Sequence, residues 1–189
     1  VTAWQAVVEL GGLRPGQRLL TLGSGGVSIF ALQLAVAGGA HVVATSGSPE
    51  KFDRLRELGA AAVLDHAADP EWGAAVHALT GGVDHVVEVG GAGTMRQSIT
   101  AVRTGGRISV IGVLSRGAGL SPVPLLRKAL IVQGVLVGSR EMFEALNRAL
   151  ERHRIRPVID SVFPFSEAAA AYRRLASGRH LGKVVIVAD

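Results

Sequence analysis

The chain has 189 residues, 25 of them glycine and none cysteine, with a formal net charge of +5. That length suits one domain with a substantial core, and the lack of cysteine excludes disulfides and thiolate metal sites. The positive charge comes from 17 Arg and three Lys, scattered and interleaved with acids as in Arg54-Leu55-Arg56-Glu57, so a solvated surface is favoured over a nucleic-acid face.

The first residue is Val1, and the chain opens inside an apparent helix, Val1–Leu10. This reads either as a piece of a longer protein or as a complete domain with trimmed ends. Nothing resembles a signal peptide, and a cytoplasmic protein is expected. No Asp, Glu, Lys or Arg occurs from Leu19 to Pro49, a stretch long enough to cross a bilayer. Gly23, Gly25, Gly26, Gly38 and Gly39 cut it into pieces too short to span, so a buried α/β core is the better reading and no membrane partner is expected.

Strands are predicted at Arg18–Leu22, His41–Thr45, Ala62–Leu64, His85–Val89, Arg107–Ile111 and Ile131–Val137. Their unbroken Val, Ile and Leu runs suit parallel strands covered on both faces. Helices are predicted between them at Ser28–Ala37, Pro49–Leu58, Pro70–Leu79, Thr94–Val102 and Arg140–His153. Proline opens two of these, and glycine follows the ends of several. The fold class is therefore α/β, a doubly wound six-stranded parallel sheet with helices on both faces. From Val158 the pattern changes to a strand, a helix capped by Ser166 and a last strand, Lys183–Val187. The expected division is residues 1–157, with 1–10 as a linking helix, and a tail of residues 158–189.

The most informative stretch is Gly23-Ser24-Gly25-Gly26-Val27-Ser28, which follows a strand and opens a helix. Gly23 supplies the tight turn, and Gly25 lets the backbone approach a pyrophosphate. The amides of Gly26 and Val27 then point from the helix N-terminus toward negative charge. Ser28 holds the third fingerprint position, where a small residue is needed for close helix–strand packing. A methyltransferase loop is the sharper rival, but those usually carry an acid just before the glycines, and here Thr21-Leu22 stand there.

The second strand ends Thr45-Ser46-Gly47-Ser48, with no acid before Glu50. An NAD-specific site wants a carboxylate near here for the ribose 2′-hydroxyl. Ser46 and Ser48 can instead donate hydrogen bonds, and Lys51 lies one helical turn on. A charge-assisted bond contributes about 1.5–3 kcal/mol, so one such contact shifts preference roughly ten- to a hundred-fold. NADP(H) is the expected cofactor.

Thr2-Ala3-Trp4, Leu13-Arg14-Pro15-Gly16, the Leu22–Ser28 turn, Leu58-Gly59-Ala60, Asp84-His85-Val86-Val87-Glu88, Gly105-Gly106-Arg107-Ile108 and Gly182-Lys183-Val184-Val185-Ile186 occur in this order. Together they resemble the medium-chain dehydrogenase/reductase family, in its zinc-type alcohol dehydrogenase and quinone oxidoreductase branch. The resemblance implies a Rossmann cofactor domain whose tail returns to a GroES-like catalytic domain absent from this chain. Any zinc would belong to that missing domain. No metal ligand and no catalytic acid or base is assigned here, and the chain alone is expected to bind NADP(H) with little turnover.

The resemblance also implies further cofactor contacts. Gly90 and Gly91 would face the ribose, and the loop Ile111-Gly112-Val113-Leu114 the adenosine or nicotinamide side. Val137, Ser139 and Arg140 would lie near the carboxamide, Lys183 near the pyrophosphate and His66 near the adenosine phosphate. Blander roles compete: turn glycines at Gly90 and Gly112, helix charge at Arg140, edge protection at Lys183. His41, His77, His85, His153 and His180 show no metal spacing and read as surface or core. Family members commonly pair their sixth strands, so a homodimer through residues 131–137 is expected. Two rival functions stay open, a nucleotide-sensing or scaffold domain without catalysis and a zinc-independent quinone or enoyl reductase.

Overall fold

The computed structural model describes residues 1–112, 114–115 and 121–188. Strands β1 (Arg18–Leu22), β2 (His41–Ser46), β3 (Ala60–Asp65), β4 (Val83–Glu88), β5 (Val102–Val110) and β6 (Ile131–Gly134) form one sheet in the order β3-β2-β1-β4-β5-β6. Every pairing in it is parallel. Strand order reverses between β1 and β4, and open sheets of this kind bind ligands beyond the carboxyl ends of the strands at that reversal.

The strands are apolar on both sides because both sides are covered. Leu19, Val42 and Val87 pack under α2 (Gly26–Ala37), α3 (Phe52–Glu57) and the N-terminal helical segment, through Ile29, Leu32, Leu55 and Val7. Leu20, Val43, Val86 and Ile108 face α4 (Trp72–Thr80) and α5 (Ala92–Ala101), through Trp72, Val76 and Ile99. Neighbouring residues such as Leu19 and Leu20 thus serve opposite layers, as the two-residue period of a strand requires. The expected α/β class and six-stranded parallel sheet are both present.

Several boundaries differ from the sequence-based expectation. The N-terminal helix is a short α1 (Thr2–Trp4) continued by a π-helical turn, Gln5–Glu9. Behind it, Gly11 lies so close to the sheet that a Cβ there would sit 2.7 Å from His85 Cε1. Strand β5 begins at Val102, so Gly105-Gly106 lies inside it, next to an irregular register with β4, rather than closing a helix. Strand β6 ends at Gly134 rather than at Val137, and Val137 adopts φ 55°. A five-residue helix, α6 (Val123–Arg127), has no counterpart in the sequence reading.

The tail forms a small sheet of its own. Strands β7 (Ile159–Pro164) and β8 (Lys183–Val187) pair in parallel, joined by α8 (Ala168–Ala176). Asp160 ties these elements together. It accepts two bonds from Arg174, at 2.8 and 2.7 Å, and one from the Leu181 amide at 3.1 Å. The guanidinium holds the Asp160 carboxyl well below its ordinary range. The tail leaves Val162, Phe165, Tyr172 and Leu175 exposed. No helix among the described residues is long and apolar enough to cross a membrane.

One buried group makes the domain acid-sensitive. His85 in β4 is 2% exposed, and its Nε2 lies 2.8 Å from Ser109 Oγ on β5. Burial, helped by the Arg107 charge, pushes its pKa down to about 4. The unfolded chain takes up a proton near the ordinary value of about 6.5, and the folded chain does not until pH is lower. Stability from this group is therefore intact above pH 6.5 and falls progressively toward pH 4, by ~3 kcal/mol in total. Urea denaturation across that range should show the loss, and His85→Gln should flatten that part of the profile.

Candidate functional site

The site is assembled at the carboxyl end of β1. Gly23, with φ 70°, turns the chain out of the strand, and its amide donates to Thr45 O at 2.8 Å. Gly25 is extended and caps α2, whose first internal bond runs from Ile29 N to Gly25 O at 3.0 Å. The amides of Gly26, Val27 and Ser28 precede that bond, and no side chain caps them. Ser28 is 2% exposed and donates its hydroxyl to Leu22 O at 2.6 Å. The third fingerprint position thus joins helix to strand by a hydrogen bond as well as by small size.

The tail closes over this corner at Gly182-Lys183. Gly182 N donates to Ser24 O at 2.9 Å, and Gly25 and Gly182 form an isolated parallel bridge. Lys183 then lies beside the helix start, where a Cβ added to Gly26 would sit 2.7 Å from its Nζ. Lys183 and Val27 share a cavity of about 100 Å³ at this helix start. Next to it, a larger cavity of about 350 Å³ lies between the Gly23–Gly25 turn, the end of β2 and the tail.

The β2 end brings together Ser46, Ser48, Lys51 and His66, all lining that larger cavity. Their side chains are partly committed. Ser46 is 2% exposed, and its Oγ accepts from the Ser48 amide at 3.2 Å. Lys51 is 7% exposed and donates to the carbonyls of Gly178 and His180 at 3.1 and 3.0 Å. Burial, helped by Arg174, pulls the Lys51 pKa down against the opposing charges of Glu50 and Asp160. His66 lies over Gly47, where a Cβ would stand 2.9 Å from its Cε1.

The β4 end is organised by a residue to which the sequence reading gave no role. Glu88 is fully buried, and its Oε1 accepts from Gly90 N at 2.7 Å, Gly91 N at 3.0 Å and Thr94 Oγ1 at 2.6 Å. Its Oε2 accepts from Ser98 Oγ. Gly91 adopts φ 90°, ψ −141°, a conformation open to glycine. The Gly90 and Gly91 amides thus point inward to Glu88, and a ligand would meet the other side of the turn. Ser115 fastens it further, bonding Gly90 O and Gly93 N at 2.8 and 2.7 Å. Gly112 is a close-packing glycine, since a Cβ there would run into the Val89 carbonyl. Leu114 is 88% exposed, and Val113 lies outside the described residues.

Val137, Ser139 and Arg140 sit where α7 (Arg140–Arg152) begins. Ser139 caps that helix by accepting from Met142 N at 3.2 Å. Arg140 pairs with Glu144 at 2.9 Å on an exposed surface, so it serves its own helix. Among the described residues, no three His, Asp or Glu side chains are grouped to hold a metal ion. Two contributors to the larger cavity come from the tail and were missed, Gly178 and His180. No local pattern marks them; only the docking of the tail brings them here.

The model of the zinc-binding dehydrogenase family matches residues 26–152. The zinc-type alcohol dehydrogenase-like protein C1773.06c of Schizosaccharomyces pombe is 40% identical over 198 residues, covering 100% of this chain and 57% of that protein. The structure of an NAD-dependent alcohol dehydrogenase matches with a TM-score of 0.90 at 36% identity, covering 98% of this chain and 55% of that one. The quinone oxidoreductase of Thermus thermophilus, solved also with NADPH, matches with a TM-score of 0.81 at 33% identity, covering 98% and 62%. The chain spans a little over half the length of these relatives.

The Glu88 network predicts a large structural effect. Glu88→Ala leaves two amides and two hydroxyls without their shared acceptor. At about 1–3 kcal/mol for each buried unsatisfied group, the variant should lose at least ~3 kcal/mol of stability in urea denaturation.

Proposed function

The chain belongs to the zinc-binding dehydrogenase family, and from that membership we propose that it is the NADP(H)-binding domain of an alcohol dehydrogenase-like oxidoreductase. The observation that carries this is the start of α2, where three uncapped amides emerge through a glycine turn beside the Lys183 ammonium. A helix N-terminus with a lysine over it suits a diphosphate. The fit extends along the turn, because Cβ atoms on Gly23 and Gly25 would meet nothing within 4 Å, which leaves room for a ligand's backbone approach.

Preference for the 2′-phosphorylated form is supported by the larger cavity. Its lining includes Ser46, Ser48, Lys51 and His66 and no carboxylate. The Lys51 ammonium has three protons, of which two are engaged by the tail carbonyls, leaving one for an anion. When bound, the nicotinamide supplies or accepts the hydride. This domain holds and aims the dinucleotide through the α2 amides, Lys183 and the turns braced by Glu88. A carbonyl, alcohol or enone would be held by a second domain. The quinone-reductase reading has its own support in the NADPH complex of the Thermus neighbour.

We further infer two apolar contacts. The tail's exposed Val162, Phe165, Tyr172 and Leu175 suit cover by that second domain. Strand β6 pairs only with β5 among the described strands and exposes Ile131 and Val132, so it suits edge pairing with a second copy.

Gly25→Val tests the cofactor seat. Position 25 has φ −73° and open space around a Cβ, so the fold should be unaffected while the added side chain fills the ligand's approach. Calorimetry should show NADPH binding weakened by at least about tenfold, a loss of ~1.4 kcal/mol; unchanged affinity would place the dinucleotide elsewhere. For the edge, Val132→Lys should shift sedimentation from dimer to monomer.

A further inference from the structure

The tail does more than cover the glycine corner: it brings a residue with an ionisable side chain into the lining of the larger cavity. His180 lines the same 350 Å³ space as Ser46, Ser48, Lys51 and His66. It is held there by its own carbonyl, which accepts from Lys51 Nζ at 3.0 Å, and by Gly182 N on Ser24 O at 2.9 Å. Its Nδ1 is buried and meets no hydrogen-bond partner among the described residues. A buried ring nitrogen without a partner is costly unless a ligand satisfies it.

We propose that His180 is a specificity-determining residue for the 2′-phosphate, and that a phosphomonoester enters this cavity together with one proton taken from solution. The inference rests on the NADP(H) reading of the site. The charged and titratable groups around His180 come from every element packed on it. They are Lys51 before α3, His66 after β3, Asp160 on β7, Arg174 on α8 and Lys183 on β8. Burial comes first, and then Lys51, Arg174 and Lys183, in keeping the imidazole below its ordinary pKa, with Asp160 alone opposing. A phosphate dianion reverses that balance. It adds two negative charges to a cavity lined by none, so the imidazole gains a proton as the phosphate arrives. A phosphomonoester has a second pKa of about 6 and histidine one of about 6.5, so both partners titrate in the same window and share the bound proton. NADH, which has only a hydroxyl at that carbon, provides no such charge.

Calorimetry on the 189-residue chain, with NADPH and NADH at about pH 7.5 in buffers of different ionisation enthalpy, counts the protons taken up. NADPH binding should draw in roughly half a proton or more, and NADH close to none. NADPH affinity should rise as pH falls from about 8.5 to about 6.5, by up to about tenfold per pH unit. His180→Gln keeps the backbone carbonyl that holds Lys51 but cannot take a proton. It should abolish the uptake and flatten the pH dependence while leaving NADH affinity unchanged. Equal uptake in wild type and His180→Gln overturns the inference, as does uptake lost instead in His66→Gln. Failure of NADPH to bind at all overturns the cofactor reading, and this inference with it; NADPH binding without proton uptake overturns this inference alone.

Discussion

The architecture turns on three backbone amides. Gly26, Val27 and Ser28 begin α2 before its first internal hydrogen bond can form, and no side chain reaches back to them. Such groups carry the positive end of the helix dipole. A Ser, Thr, Asp or Asn at the cap position would satisfy one of them. Here the cap position is Gly25, which offers only a carbonyl. The cost of leaving the amides open is met by a firmly fixed frame. Gly23 is bonded to β2 through Thr45, and Ser28 is bonded to β1 through Leu22. Both helix and turn are therefore held against the sheet while the donors stay uncapped.

The three lysines show how little of the charge is spent at random. Lys128 donates to the carbonyls of Ile99, Thr100 and Val102 and closes the end of α5. Lys51 does the same for the tail carbonyls of Gly178 and His180. Lys183 lies over the start of α2. Each places a compact ammonium with rotatable donors among convergent acceptors or beside open amides, geometry that a planar guanidinium fits poorly. Among the described arginines, by contrast, several ion pairs are exposed, as in Arg54–Glu57, Arg56–Asp53 and Arg140–Glu144, and such pairs contribute little to stability.

The sheet was legible because its strands are apolar on both faces and punctuated by glycine. All six appear with the expected direction, and the glycine corner lies where its spacing put it. What escaped was set by contacts between distant parts of the chain. Strand β5 runs back through Gly105-Gly106 because β4 offers it an irregular register there, which no local pattern reports. His180 reaches the corner only because Gly182, just before β8, docks on Ser24 from the far end of the chain. Glu88 stands in a recognisable motif, yet its role needs the fold of the turn that follows. Its four donors sit at positions 90, 91, 94 and 98, a spacing that converges only once α5 has formed.

Glu88 also changes how the turns at the strand ends should be read. A glycine pair after a strand invites the idea that its amides bind the ligand, the role proposed for Gly26 and Val27. At Gly90 and Gly91 they are consumed by a buried carboxylate, and at Ser139 the hydroxyl is consumed by its own helix. The same residue types thus do opposite work on neighbouring strands. On β1 they leave donors open, and on β4 they close them to make a rigid wall. The dinucleotide proposed above would meet open donors on β1 and a turn on β4 whose amides are already bonded to Glu88. A rotamer-rich side chain that must be fixed on binding costs roughly 0.5–1.5 kcal/mol, and the Gly90–Gly91 turn is already tied to Glu88 by two amide bonds.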